Sequence, residues 1–185
     1  EGLFIDYFYG KEGSQAYAHG IRTGIQNDSP IQGPYHVNKE GSGDMYPKGG
    51  VMLNMIRTMI DNDEKWRNIL RGLNSRFYHQ QVDYTDIVNY VNQQSGLDLL
   101  KVFEQYVQHT AIPTLEIKQD PSGRVLGRWI SEVKGFHMPI HIGVKGQKRE
   151  LIQLDQRFRP IKIAGLTKDN IDIDTFNYYI GVLVE

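Results

Sequence analysis

The sequence predicts an α+β fold, with an all-helical part over residues 1–112 followed by a small antiparallel β-sandwich over residues 113–185. Three observations predict it. Apolar residues recur at helical spacing throughout the first part. At Ile112-Pro113 the period changes to alternation, which sets the boundary between two domains, residues 1–112 and residues 113–185. Beyond that point, Asp120-Pro121-Ser122-Gly123 and Lys145-Gly146-Gln147 supply hairpin-turn chemistry between the alternating runs.

In chain order, Leu3, Phe4, Tyr7 and Phe8 repeat with helical period until Gly10, a helix stop. Ser14 is placed to cap a second helix with Tyr17, Ile21 and Ile25 on one face. Residues Asn27 to Met45 are rich in Gly, Pro, Asn and Ser and read as a long loop, of the kind that serves a site or is disordered. The stretch Asp44 to Asp61 organises the chain. Pro47 suits the first helical position, where a missing N–H costs nothing, and Val51, Met52, Met55, Ile56, Met59 and Ile60 form a buried stripe behind it. Tyr46 then stands at the helix mouth, either presented to a site or simply packed beside Gly49 and Gly50. Glycine costs about 1 kcal/mol in a helix relative to alanine, so this pair suggests close approach by another backbone or by a ligand.

Asp61 or Asp63 caps the next helix, with Trp66, Ile69, Leu70 and Leu73 on one face. Asp83 or Thr85 caps another, which carries Ile87, Val88, Tyr90 and Val91 and stops at Ser95-Gly96; a last helix runs from Asp98 through Val107. Strands are expected at Leu115–Ile117, Val125–Val133, Met138–Val144, Leu151–Leu154, Ile161–Ile163 and Phe176–Val184, giving six or seven in all.

Composition narrows the function classes. At 185 residues, 39% hydrophobic and 23% charged, the chain has an ordinary globular composition that can bury one large core or two small ones. Its 22 acidic and 21 basic residues balance, which leaves no nucleic-acid-binding footprint. No cysteine is present, so disulfides and thiolate metal sites are excluded. No apolar run approaches the roughly 20 residues needed to span a bilayer. The first residue is Glu1 and not methionine, which points to excision from a longer protein.

Most apparent metal or catalytic constellations dissolve under geometry. His137 and His141 lie on the polar face of an alternating strand, about 13 Å apart at ~3.3 Å per residue, and are expected to face solvent. His19, His36, His79 and His109 stand alone, without the HExxH spacing of a helical zinc site. Asp61, Asp63 and Glu64 cluster at a helix start, where capping explains them. No phosphate-binding glycine loop or G-x-S-x-G elbow occurs.

Taken as an ordered set, four segments resemble the gluzincin aminopeptidases, the aminopeptidase N family. These are Glu1-Gly2-Leu3-Phe4-Ile5-Asp6-Tyr7, Tyr46-Pro47-Lys48-Gly49-Gly50-Val51-Met52-Leu53, Ser95-Gly96-Leu97-Asp98-Leu99 and Ile112-Pro113-Thr114-Leu115. The resemblance covers residues 1 to 117. It implies that Glu1 matches the family's third zinc ligand, a glutamate roughly eighteen residues after an HExxH helix. It implies that Tyr46 is the tyrosine whose phenol stabilises the oxyanion formed when zinc-bound water attacks a peptide carbonyl. Lys48 matches a family lysine, with a structural role the better assignment. Gly50 stands where the family often has alanine.

The HExxH helix and the G-x-M-E-N-like segment that holds the substrate's amino group are absent from these residues. The resemblance therefore implies the C-terminal part of a zinc-peptidase catalytic domain plus the β-domain that follows it. The parent would hold zinc and take a peptide substrate; this chain alone would bind no zinc and be inactive. Leu3, Phe4, Phe8 and part of the methionine stripe of the central helix would be left less covered, favouring self-association. The alternative is a non-catalytic helical and β-sandwich interaction module, a pseudoenzyme in which Glu1 and Tyr46 merely pack.

Overall fold

A computed structural model describes residues 1–185. Five α-helices come first: α1 (Gly2–Gly20), α2 (Pro47–Ile60), α3 (Asp63–Arg76), α4 (Tyr84–Ser95) and α5 (Leu100–Gln108). Seven strands follow: β1 (Thr114–Gln119), β2 (Val125–Ile130), β3 (His137–Val144), β4 (Glu150–Asp155), β5 (Arg159–Pro160), β6 (Ile171–Ile173) and β7 (Gly181–Val184). The fold is α+β, and helix gives way to strand between Gln108 and Thr114. Twenty-six buried apolar residues drawn from both parts form one continuous cluster, from Val51 to Tyr178.

α1 is broken at Gly10, whose φ of 74° and ψ of 175° lie outside the helical region and suit a residue without a side chain. Its two arms fold back on each other. The Ser14 hydroxyl donates to the Gly2 carbonyl at 2.8 Å and the Tyr17 phenol to Glu1 Oε2 at 2.6 Å. Ser14 is therefore buried between the arms and caps nothing, and Ile21 falls in the short 3-10 turn Ile21–Gly24 that ends the second arm.

The long loop after it is anchored. The buried Asp44 carboxylate accepts from the backbone N–H of Gln26 at 2.9 Å and of Asn27 at 2.6 Å, which closes the loop upon itself. Gly41 packs so near Ile31 that a Cβ would lie 2.1 Å from the Ile31 carbonyl oxygen. The loop thereby delivers Tyr46 to the start of α2, where Pro47 occupies the first turn.

α2 is the central helix, with Val51, Met52, Met55, Ile56 and Met59 buried as its periodicity requires, so the methionine stripe is fully covered, contrary to the expectation that part of it would be left open. Its fully buried Lys48 sends the ammonium to the carbonyls of His109 at 2.8 Å and Thr110 at 3.0 Å, at the change from helix to strand. Burial lowers the Lys48 pKa and nearby Asp44 partly restores it. A Cβ at Gly49 or Gly50 would meet only Ile31 Cδ1 at 4.0 Å or Ile21 Cδ1 at 3.4 Å, ordinary contacts. The expected close backbone approach at this pair is absent.

α3 is capped by Asn62, whose Oδ1 accepts from the Lys65 N–H at 2.9 Å, and not by its acidic neighbours. Asp61 instead ends α2 in the left-handed region, and Asp63 pairs with Arg57. α4 begins with the expected Asp83, in a reciprocal capping box with Asp86, and ends at Gly96.

The strands form two small sheets, ordered β5-β2-β1-β7 and β4-β3-β6. β1 and β2 form the expected hairpin across Asp120–Gly123, with buried Glu116 opposite Arg128 and bonded to it at 2.6 Å. One pairing corrects the expectation of a wholly antiparallel sandwich: β7 runs parallel to β1. The chain between β6 and β7 crosses the helices on its way. Thr175 and Phe176 accept from Arg22, the Tyr179 carbonyl accepts from the buried Tyr106 phenol at 2.6 Å, and the Tyr179 N–H contacts Met55 Sδ at 3.4 Å. That detour brings the chain to β1 from the end that forces parallel entry. The expected strand at Ile161–Ile163 is replaced by the short β5, with Ile161 buried beneath it.

A polar cleft of about 430 Å³ separates the end of α2 from the second sheet, lined by Gln15, Thr58, Asp61, His141, Arg149 and Asp174 among others. His141 is half-buried there and its Nδ1 lies 3.0 Å from the Tyr178 hydroxyl, which corrects the expectation that it faces solvent. Burial lowers its pKa below 6.5; Asp174 and Asp61 act in the opposite direction, and Arg149 and Lys11 reinforce the lowering.

Replacing Lys48 by methionine, of similar length, leaves the His109 and Thr110 carbonyls without their donor and lowers stability by about 1–3 kcal/mol. Urea unfolding of the two proteins measures this, and equal midpoints would mean the carbonyls find other partners. A histidine held below its unfolded pKa leaves stability unaffected above about 6.5 and costs stability as pH falls from there through the lowered folded value. His141→Gln therefore flattens the stability profile below pH about 6.5 relative to the unaltered chain. Denaturant midpoints recorded across pH 4–7 check this, and parallel profiles would exclude His141 as the cause.

Candidate active site

The two folded-back arms of α1, together with α2 and α3, border a mainly apolar cavity of about 270 Å³. Its wall includes Glu1, Leu3, Tyr17 and Ile21 from the α1 side, Tyr46, Gly50, Leu53 and Arg57 from the α2 side, and Trp66 from α3. Glu1 and Tyr46, distant in sequence, thus border the same space.

Each is positioned by a different device. Glu1 is the N-cap residue of α1 and makes no capping bond, so its carboxylate turns to the Tyr17 phenol on the returning arm. That hydrogen bond is the main cause of a raised Tyr17 pKa. Tyr46 is the N-cap residue of α2, its backbone already helical, and its side chain also makes no cap bond. Tyr46 is 77% exposed. The N-terminal end of α2 carries the positive pole of the helix, favouring negative charge beside it.

Arg57 fixes the distance between these walls. It is buried, with Nε 2.8 Å from Asp63 Oδ1 and Nη2 2.8 Å from Asp6 Oδ2, so one guanidinium joins α1, α2 and α3. Burial opposes the Arg57 charge, yet the bonds from Asp63 and Asp6 outweigh it and raise the pKa, while the same bond holds Asp63 below the usual carboxylate range. Neither Arg57, Asp6 nor Tyr17 was singled out from sequence. The available signal was an arginine inside an apolar helix, which calls for a carboxylate partner.

The remaining candidates lie elsewhere. Lys48 is fully buried and faces the segment before β1, away from the cavity wall. His137 sits between Asp98, at 3.2 Å, and the Gly135 carbonyl, at 3.1 Å, whereas His141 faces the polar cleft, so the two share no partner. His109 pairs with Glu132 at 3.3 Å and His19 stacks on Phe176 at 4.6 Å between ring centroids. On the outer face of the first arm, Phe4, Tyr7, Phe8 and Tyr9 remain exposed, with Phe4 and Phe8 rings 4.8 Å apart. No helix is long and apolar enough to cross a membrane.

No protein-family model matches the sequence, and no curated protein matches it. Among solved structures, the chain is similar to Legionella pneumophila aminopeptidase A in complex with aspartic acid, with a TM-score of 0.67 and 14% sequence identity. The match covers 100% of this chain and 23% of that one, so the chain spans less than a quarter of that protein's length. At this identity the likeness is one of fold, and it establishes that the α+β arrangement described above also occurs within an aminopeptidase.

Proposed function

We propose that this chain is part of a zinc-dependent aminopeptidase of the gluzincin type and contributes two groups to its active site: Glu1 as a zinc ligand and Tyr46 as the donor to the oxyanion. The observation that carries the reading is that these two residues border one cavity, with Tyr46 exposed at a helix N-terminus and Glu1 held by Tyr17 on the opposite wall.

The cavity wall offers one carboxylate, Glu1, and no imidazole. A catalytic zinc takes three protein ligands, so the residues of this chain do not make a zinc site by themselves. In the proposal the other ligands and the general base come from outside these residues. What the chain's own groups do is orient and stabilise. Tyr17 fixes one oxygen of Glu1 and leaves the other free. The Tyr46 phenol donates a hydrogen bond to the negative charge that develops on a peptide carbonyl oxygen, and the N-terminal end of α2 favours the same charge. Leu3, Leu53 and Trp66 supply apolar surface that excludes water around it.

Calorimetric titration of the 185-residue chain with zinc should show no stoichiometric site of submicromolar affinity. A tight one-to-one site would overturn the assignment of the missing ligands to another segment.

In a longer protein that also carries the histidine ligands, Tyr46→Phe should lower kcat on an aminoacyl substrate by about 10²–10³, roughly 3–4 kcal/mol of transition-state stabilisation, with zinc content and thermal midpoint unchanged. Paired measurements of kcat, bound zinc and melting on the two proteins test this. A near-normal kcat would return Tyr46 to a packing role and favour the non-catalytic interaction module instead.

A further inference from the structure

The two sheets leave a trough of about 970 Å³ between the edge strands β4 and β5, on the part of the molecule formed by the strands. Its charge is one-sided. Lys134, Arg157, Arg159 and Lys162 line it against a single carboxylate, Asp155, which Arg159 already engages at 2.7 Å. The chain as a whole carries a formal charge of −1, so this excess of cations is local. His137 also reaches the trough but is paired with Asp98.

The backbone segments that carry Lys134, Arg157 and Arg159 are held in place. Gln156 spans the trough's end, donating from Nε2 to the Ser131 carbonyl at 3.0 Å and accepting the Gly135 N–H at 2.8 Å, which pins the loop carrying Lys134 to the turn carrying Arg157. Phe158 is gripped between Lys118 Nζ, 3.7 Å from its ring centroid, and the Arg128 guanidinium carbon, at 4.4 Å. That grip fixes the residues on either side of it.

The trough also contains an unpaired strand edge. β4 bonds to β3 on one side only, and its six residues have no strand on the other. The facing edge, β5, ends in Pro160, which has no N–H to offer. β4 is thus the edge able to accept a further strand. We propose that this trough is a docking groove for an extended acidic segment of another polypeptide, which adds to the free edge of β4 while its carboxylates meet Lys134, Arg157 and Lys162. Main-chain hydrogen bonds give such a complex its affinity and the flanking cations its selectivity.

The test uses the whole chain and a fluorescein-labelled peptide of about ten residues, a full strand length, alternating glutamate and threonine. Fluorescence anisotropy should show saturable binding. The combined variant Lys134→Glu, Arg157→Glu, Lys162→Glu should bind at least tenfold more weakly with an unchanged thermal midpoint. A peptide of equal charge with proline at the threonine positions should also bind at least tenfold more weakly. Raising salt from 50 to 500 mM on the unaltered chain should weaken binding tenfold, a measurement that depends on no variant. The proposal is overturned by absence of saturable binding, which would make the cations a guard against unwanted strand pairing. It is equally overturned by indifference to charge reversal, proline or salt, or by tighter binding of a single-stranded oligonucleotide of equal charge to the same residues.

Discussion

A lysine ammonium with no access to water must be met by protein, and Lys48 is met by two peptide carbonyls at the point where the helices end and the strands begin. This sets the relation between the two halves. α2 cannot slide or rotate without withdrawing a buried charge from its acceptors, and the segment 109–110 cannot move without stranding them. Tyr46 stands two positions before that anchor, so its place at the helix mouth follows from a constraint on the opposite face of the same turn. Lys48 holds the helix at whose mouth Tyr46 stands.

Arg57 does the corresponding work toward the other end of α2. By joining Asp6 on the first arm of α1 to Asp63 at the start of α3, it holds the arm that carries Glu1 against the helix that carries Tyr46. The cavity between them is therefore maintained from outside, by charges that line or lie beneath it, and its interior remains mainly apolar. A buried guanidinium with two carboxylate partners is a poor source of net stability but a strict source of geometry, since loss of either partner leaves charge uncompensated.

Much of this architecture was legible in the sequence because apolar spacing alone determines which face of a helix or strand is buried. The stripe of α2, the Asp83 cap, the stop at Gly96 and the β1–β2 hairpin were all read from local pattern. What escaped depended on distant partners. Ser14 looked like a cap because serine before a helical run usually is one, whereas its bond goes to Gly2 across a folded-back arm. Asn62 was passed over because adjacent aspartates offered the same chemistry. The direction of β7 is not encoded in alternation, which reads the same for parallel and antiparallel strands. His141 sat on the expected polar face, but at its position that face meets a cleft formed with α2, where the ring is half-buried. At the cavity, Pro47 made Tyr46 readable from local chemistry, while Glu1 had no local signal and was reached through resemblance alone.

The crossing from β6 to β7 carries a consequence for how the protein is made. Tyr178 and Tyr179 close the packing around Met55 and Tyr106, so the helical half receives part of its core from residues near the far end of the chain. β7 likewise completes the sheet begun by β1. During synthesis on a ribosome the helices emerge long before these tyrosines do, and until then the surface around Met55 stays uncovered. Long-range closure of this kind slows folding and extends the interval in which apolar surface is open to chaperones or to misassembly. The helices wait on the last strand.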